Sequence, residues 1–110
     1  MARDDLPLLQ GTLDVLVMKT LSWGPRHGYA IARWIKETTD AALQVEDRAL
    51  YVSLHRMEER GWLESDWGVT ENNRTAKYYQ LTREGRKQLA AKADAWSRYA
   101  TAVAKILEAA

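Results

Sequence analysis

The stretch Asp47-Arg48-Ala49-Leu50-Tyr51-Val52-Ser53-Leu54-His55-Arg56-Met57-Glu58-Glu59-Arg60-Gly61, continuing into Trp62-Leu63-Glu64-Ser65-Asp66-Trp67-Gly68-Val69, decides the fold. Leu50, Leu54 and Met57 are spaced four then three, the repeat of one buried helical face. Asp47 is suited to cap the first turn, and Gly61 falls where a helix end favours glycine. The spacing therefore predicts a helix from about Asp47 to Arg60. After Gly61 the period switches from helical to alternating. Leu63, Ser65, Trp67 and Val69 share one side of an extended segment, with Glu64 and Asp66 on the other.

Downstream, Asn72-Asn73 is a natural turn, since asparagine tolerates the left-handed conformation. The aromatic run Lys77-Tyr78-Tyr79-Gln80-Leu81 suits the returning strand of a hairpin. Upstream, Leu9, Leu13, Leu16, Val17 and Leu21 form one helical stripe, ended by Ser22-Trp23-Gly24-Pro25. A second helix from about His27 to Thr38 carries Ile31, Trp34 and Ile35 on its apolar side, with Arg33, Lys36 and Glu37 facing water. Thr39 to Val45 reads as a connector. Three helices followed by a hairpin is the order of a winged helix, a variant of the helix-turn-helix. From Thr82, a suitable N-cap, to Ala109 the chain is alanine-rich, charged and free of proline, which suits one long helix. The expected architecture is mainly α with a small β-hairpin: a winged helix-turn-helix over residues 8–81 and a C-terminal dimerisation helix over 82–110.

A chain of 110 residues suits one domain and is too short for two separate cores. Apolar residues at 46% and charged residues at 28% are ordinary for a water-soluble globular protein. The absence of cysteine excludes disulfides and Cys-based zinc sites. No secretory pattern follows Met1-Ala2-Arg3-Asp4-Asp5, and no apolar run reaches the ~18 residues of a membrane span, so a cytoplasmic protein is expected. A formal net charge of +1 says little about nucleic acid, and only the placement of the charges can.

Catalysis finds little support. His27 and His55 are the only histidines, and neither has a Ser or Cys partner in a recognisable arrangement. His27 is expected to cap or pack against the second helix. Glu58 and Glu59 are adjacent, so they point to different helical sides. No glycine-rich phosphate loop occurs. Neither an enzyme, a metal site nor a cofactor is expected.

Several stretches together resemble the PadR family of bacterial transcription regulators. They are Gly11-Thr12-Leu13, Gly24-Pro25-Arg26-His27-Gly28-Tyr29-Ala30-Ile31, Leu50-Tyr51-Val52-Ser53-Leu54-His55-Arg56-Met57-Glu58, Lys77-Tyr78-Tyr79-Gln80-Leu81-Thr82 and Gly85-Arg86. Their joint order spans about Leu8 to Leu107. The resemblance implies a homodimeric winged helix, usually a repressor, whose C-terminal helices form much of the dimer contact. Where the family commonly has Gly, then Ser or Thr, before the Leu-Tyr pair and proline after it, this chain has Arg48, Ala49 and Val52. That departure bears on the operator sequence rather than the fold.

With Leu50, Leu54 and Met57 turned to the core, a 100° advance per residue places Arg48, Ala49, Val52, His55, Arg56 and Glu59 outward. Such a helix fits the major groove of double-stranded DNA, where Arg48 or Arg56 can pair with guanine and Val52 can touch a thymine methyl. Tyr51 lies on the flank, either packed under the wing or directed to a phosphate. Asn72, Asn73, Arg74 and Lys77, on or beside the hairpin tip, are candidates for phosphate or minor-groove contact.

Leu89, Trp96 and Val103 recur every seven residues, with Ala93, Ala100 and Leu107 beside them, as in a helix-packing seam. A helix over 82–109 is about 42 Å long against a core about 30 Å across, so its distal half should overhang. Trp96, Tyr99, Val103, Ile106 and Leu107 then need a second copy; the alternative is a fold back onto the first helix. In some drug-responsive proteins of the PadR family a tryptophan on the C-terminal helix lines an apolar cavity between subunits. The resemblance thus makes Trp96 a candidate site for a small planar hydrophobic effector, against the plainer role of a dimer-core tryptophan. Two rival readings are a winged helix used for protein contact without DNA, and a MarR-like regulator. The second usually places additional helices before the winged domain.

Overall fold

A computed structural model describes Leu8 and residues 11–110. In chain order the elements are α1 (Thr12–Thr20), a 3-10 turn (Leu21–Trp23), β1 (Arg26–His27), α2 (Gly28–Thr38), α3 (Asp47–Glu59), β2 (Leu63–Val69), β3 (Thr75–Leu81) and α4 (Arg83–Leu107). Mainly helical, with a small antiparallel sheet, the chain has the winged-helix order expected from its sequence. Leu9, part of the first predicted stripe, lies outside the described residues.

Local chemistry sets the boundaries. Gly24 at φ 141° ends the first helical segment, a conformation that L side chains rarely adopt. His27 caps α2, its Nδ1 accepting from the Ala30 N–H at 3.3 Å. At the end of α3, Trp62 N–H donates to Met57 O (2.9 Å) and Gly61 N–H to Glu58 O (3.0 Å), with Gly61 at φ 79°. This pair of bonds is the Schellman arrangement, and it turns the chain straight into β2. Thr82 caps α4 by accepting from Gly85 N–H (3.0 Å) and donates to Gly61 O (2.6 Å), tying the helix to the base of the hairpin.

Two boundary expectations need correction. Asp47 is the first residue of α3 rather than its cap; extended Glu46 occupies that position, and its carbonyl accepts from Leu50 N–H at 3.0 Å. The sheet has three strands in the order β1-β3-β2, not two. Arg26 pairs with Tyr79 and His27 with Tyr78, while β2 and β3 run in register from Leu63↔Leu81 to Val69↔Thr75. β1 has only two residues, too few for any period to show.

The core joins Val17, Met18 and Leu21 to Ile31 and Ile35 of α2, Leu50, Leu54 and Met57 of α3, and Leu63, Tyr79 and Leu81 of the sheet. Leu13, Leu16 and Trp34 pack at its margin. Buried Ser53 and Thr20 find partners in Asp14 Oδ1 (2.6 Å) and Leu16 O (2.8 Å), so these polar groups are buried without loss of hydrogen bonding. The three helices and the sheet base thus form one body that presents the opposite face of α3 to solvent.

Candidate nucleic-acid interface

The buried positions of α3 are Leu50, Ser53, Leu54 and Met57. Their phase leaves Arg48, Tyr51, Val52, His55 and Glu59 exposed. His55 Nε2 lies 3.4 Å from Glu59 Oε2, an exposed pair one turn apart. Two residues assigned outward by the helical wheel sit instead on the flank facing α1. Ala49 is half-buried, and Arg56 Nη2 donates to Asp14 Oδ1 at 2.6 Å. The wheel cannot show that α1 offers a carboxylate there.

Tyr51 seats its ring against the first turn of α2. A Cβ on Gly28 would stand 2.6 Å from Tyr51 Oη and 2.9 Å from Cζ, so only glycine permits this approach. The phenol stays about half exposed at the surface shared by α2 and α3. Beside it Tyr29 is 71% exposed, its ring stacked on His27 at 6.4 Å. Tyr29 was absent from the sequence-derived candidates, although its phase relative to buried Ile31 and Ile35 points it outward. Arg33 lies one turn further on. Its Nε is 3.0 Å from Glu37, whose hydrogen bond and charge raise the guanidinium pKa above its ordinary value. That charge is already partnered.

The hairpin forms the other wall. At its tip Asn73 adopts φ 60°, as expected for asparagine, and Asn73 N–H closes the turn onto Thr70 O at 2.9 Å. Asn72, Asn73 and Arg74 are exposed there. Lys77 lies further down, inside β3 opposite Trp67, with Nζ 3.6 Å from Glu58 Oε1 and 5.8 Å from the Tyr79 ring centroid. Glu58 also accepts from Ser65 Oγ at 2.6 Å, locking the C-terminal half of α3 to the hairpin. Trp67 and Val69 keep the side predicted by alternation. They nonetheless stand 68% and 64% exposed, because the hairpin projects past the core. Burial of Tyr79, with the negative charge of Glu58 nearby, pushes its phenol pKa above the ordinary tyrosine value.

A second feature involves α4. Leu89 packs on the core, while Ala93 and Trp96 line an apolar cavity of about 560 Å³ with Leu8, Val15, Leu16 and Leu43. The proximal half of α4 therefore does lie against α1, as the fold-back alternative had it. The distal half does not. Tyr99, Ile106 and Leu107 are 67%, 76% and 78% exposed, and Val103 and half-buried Ala100 continue the same segment. Among the described residues no helix is long and apolar enough to cross a membrane.

Comparison with known proteins agrees with this geometry. The family model for the PadR-like family of transcriptional regulators matches residues 17–91, from the core of α1 into the proximal part of α4. The fold is similar to that of a transcriptional regulator from Clostridium thermocellum, at 27% identity and a TM-score of 0.82, covering 90% of this chain and 96% of that one. It is similar also to a PadR family transcription regulator from Clostridium difficile, with 26% identity, TM-score 0.76, and coverage of 88% and 99%. A PadR family transcriptional regulator from Eggerthella lenta shares 33% identity at TM-score 0.74, covering 92% of this chain and 86% of that one. With the family model spanning most of its length and its helices and wing arranged as in these regulators, the chain belongs to the PadR-like family of transcriptional regulators.

Proposed function

We propose that this DNA-binding regulator acts as a cytoplasmic homodimeric repressor on a pseudo-palindromic operator, and that a flat aromatic effector at Trp96 releases it. Family membership makes it a transcription regulator rather than an enzyme. The observation that carries the finer reading is the exposed face of α3, with Arg48, Val52 and His55 between the α2 start and the wing. In this reading residues 8–81 read DNA and residues 82–110 pair two subunits. In the N-terminal part of α3, Arg48 and Val52 meet base edges and His55 lies further along the groove, with Ala49, Tyr51 and Arg56 on the flanks of that face. Asn72, Asn73 and Arg74 of the wing, with Lys77 behind them, approach phosphates.

Dimerisation is supported by the apolar length of α4 that its own chain leaves uncovered. Leu89, Ala93 and Trp96 start the seam beside their own core, and Tyr99, Val103, Ile106 and Leu107, with half-buried Ala100, carry it on as apolar surface left exposed, which marks an interaction site. A second copy covers it by two-fold symmetry. The cavity beside Trp96 has a volume in the range of small-molecule sites and an almost wholly apolar lining, which suits a planar hydrophobic effector.

Selection of bound duplexes from a random pool tests the DNA reading, its symmetry and its site together. Enrichment of an inverted repeat with half-sites about 10 bp apart, or a multiple of that, is expected. No enrichment at low ionic strength would leave the protein-contact reading, which the low net charge of +1 favours.

A further inference from the structure

We propose that Asp14 is a specificity-determining residue: it holds the Arg56 guanidinium against α1, so that Arg56 brings no net charge to the DNA. The inference rests on the DNA-binding reading above. One carboxylate oxygen, Asp14 Oδ1, accepts from both Ser53 Oγ and Arg56 Nη2, each at 2.6 Å. Ser53 is almost fully buried, and its hydroxyl helps fix the carboxylate that Arg56 meets. The Asp14 side chain is 14% exposed and that of Arg56 40%, whereas the Arg98–Asp94 pair spans 3.7 Å at 79% and 69% exposure. A short charge-assisted bond partly withdrawn from water is stronger and less screened by salt than such a surface pair.

Arg56 is one step of about 100° around α3 from exposed His55, close to where a groove-bound helix meets the phosphate backbone. Released from Asp14, its guanidinium would reach phosphates of any sequence, since phosphate contacts carry no base information. The Asp14 clamp therefore lowers non-specific affinity and leaves discrimination to Arg48 and Val52.

The test measures anisotropy of a labelled random-sequence duplex and of the selected operator, from about 50 to about 200 mM salt, with thermal melts of each protein. For Asp14→Asn, each freed cation steepens the slope of log K against log salt by about 0.9. In a dimer that makes the fall in affinity over this range ~12-fold larger, and the operator-to-random ratio shrinks. The double variant Asp14→Asn/Arg56→Gln keeps a neutral amide pair in place and is expected to show the wild-type slope. An unchanged slope in folded Asp14→Asn overturns the inference. So does a double variant whose slope is shallower than wild type by about 0.9 per subunit, because Arg56 then already touches phosphate. Should Asp14→Asn fail to fold, the double variant decides alone. Failure of the wild-type protein to bind either duplex overturns the DNA-binding reading, and this inference with it. Wild-type binding with variants that miss these slopes overturns the inference only.

Discussion

Gly85 sits in the first turn of α4, buried, where the helix meets the base of the wing. A Cβ built there would fall inside the van der Waals envelope of the Trp62 carbonyl oxygen, and 3.0 Å from both Trp62 C and Leu81 Cδ2. Backbone blocks one side, so a rotamer change cannot relieve the contact. Gly85→Ala must therefore push the α4 start away from the β2–β3 base. Overpacking of this kind costs about 1–3 kcal/mol, and we take the upper end because the obstacle is main chain. Displacing the helix also strains the Thr82 cap, in which Gly85 N–H donates to Thr82 Oγ1 at 3.0 Å, for about 1 kcal/mol more. Better helix propensity of alanine returns at most about 1 kcal/mol. The net expectation is a loss of about 3 kcal/mol, or roughly 12 °C in Tm for a chain this size. Thermal and urea unfolding at one fixed protein concentration measure it, since dimerisation would otherwise move the midpoint. A Tm equal to or above that of the wild type would show that propensity prevails and that α4 does not approach Trp62 this closely.

Other consequences are open to direct measurement. Arg74→Ala should weaken binding to operator and random DNA alike and lower the salt slope by about one per subunit; an unchanged slope removes the wing from the interface. Ile106→Lys with Leu107→Lys should leave α4 helical but give the monomer mass in light scattering. At about 1.5 kcal/mol or more for each of four apolar side chains in a dimer, the loss is ~6 kcal/mol, and a retained dimer at micromolar concentration refutes the seam. Planar aromatic dyes should quench tryptophan fluorescence, with the response lost in Trp96→Phe; quenching that persists places the dye elsewhere. Tyr79 has its pKa raised chiefly by burial, so the folded state holds that proton more tightly than the unfolded one. Its contribution is complete below about pH 10 and is lost as pH climbs through the higher folded value, so Tyr79→Phe should flatten the fall in stability above about pH 10. Equal alkaline loss in the two proteins would contradict that assignment.

Much of the fold was legible because it is encoded over short distances. The four-then-three spacing of Leu50, Leu54 and Met57, the Gly61 stop and the alternation that follows each rest on neighbours in the chain, and each stands in the structure. Thr82 and the alanine-rich run after it likewise determine α4 through capping and propensity. By contrast, β1 exists because the edge of β3 supplies hydrogen-bond partners to Arg26 and His27, and two residues carry no periodic signal. Lys77 leaves the tip for Glu58, and Arg56 leaves the outward face for Asp14, because α3, the hairpin and α1 meet only after folding. Helical phase sets the direction in which a side chain departs from its own backbone. What it then touches depends on which other element is packed within reach, and for a charge close to DNA that contact decides whether it remains available to the nucleic acid.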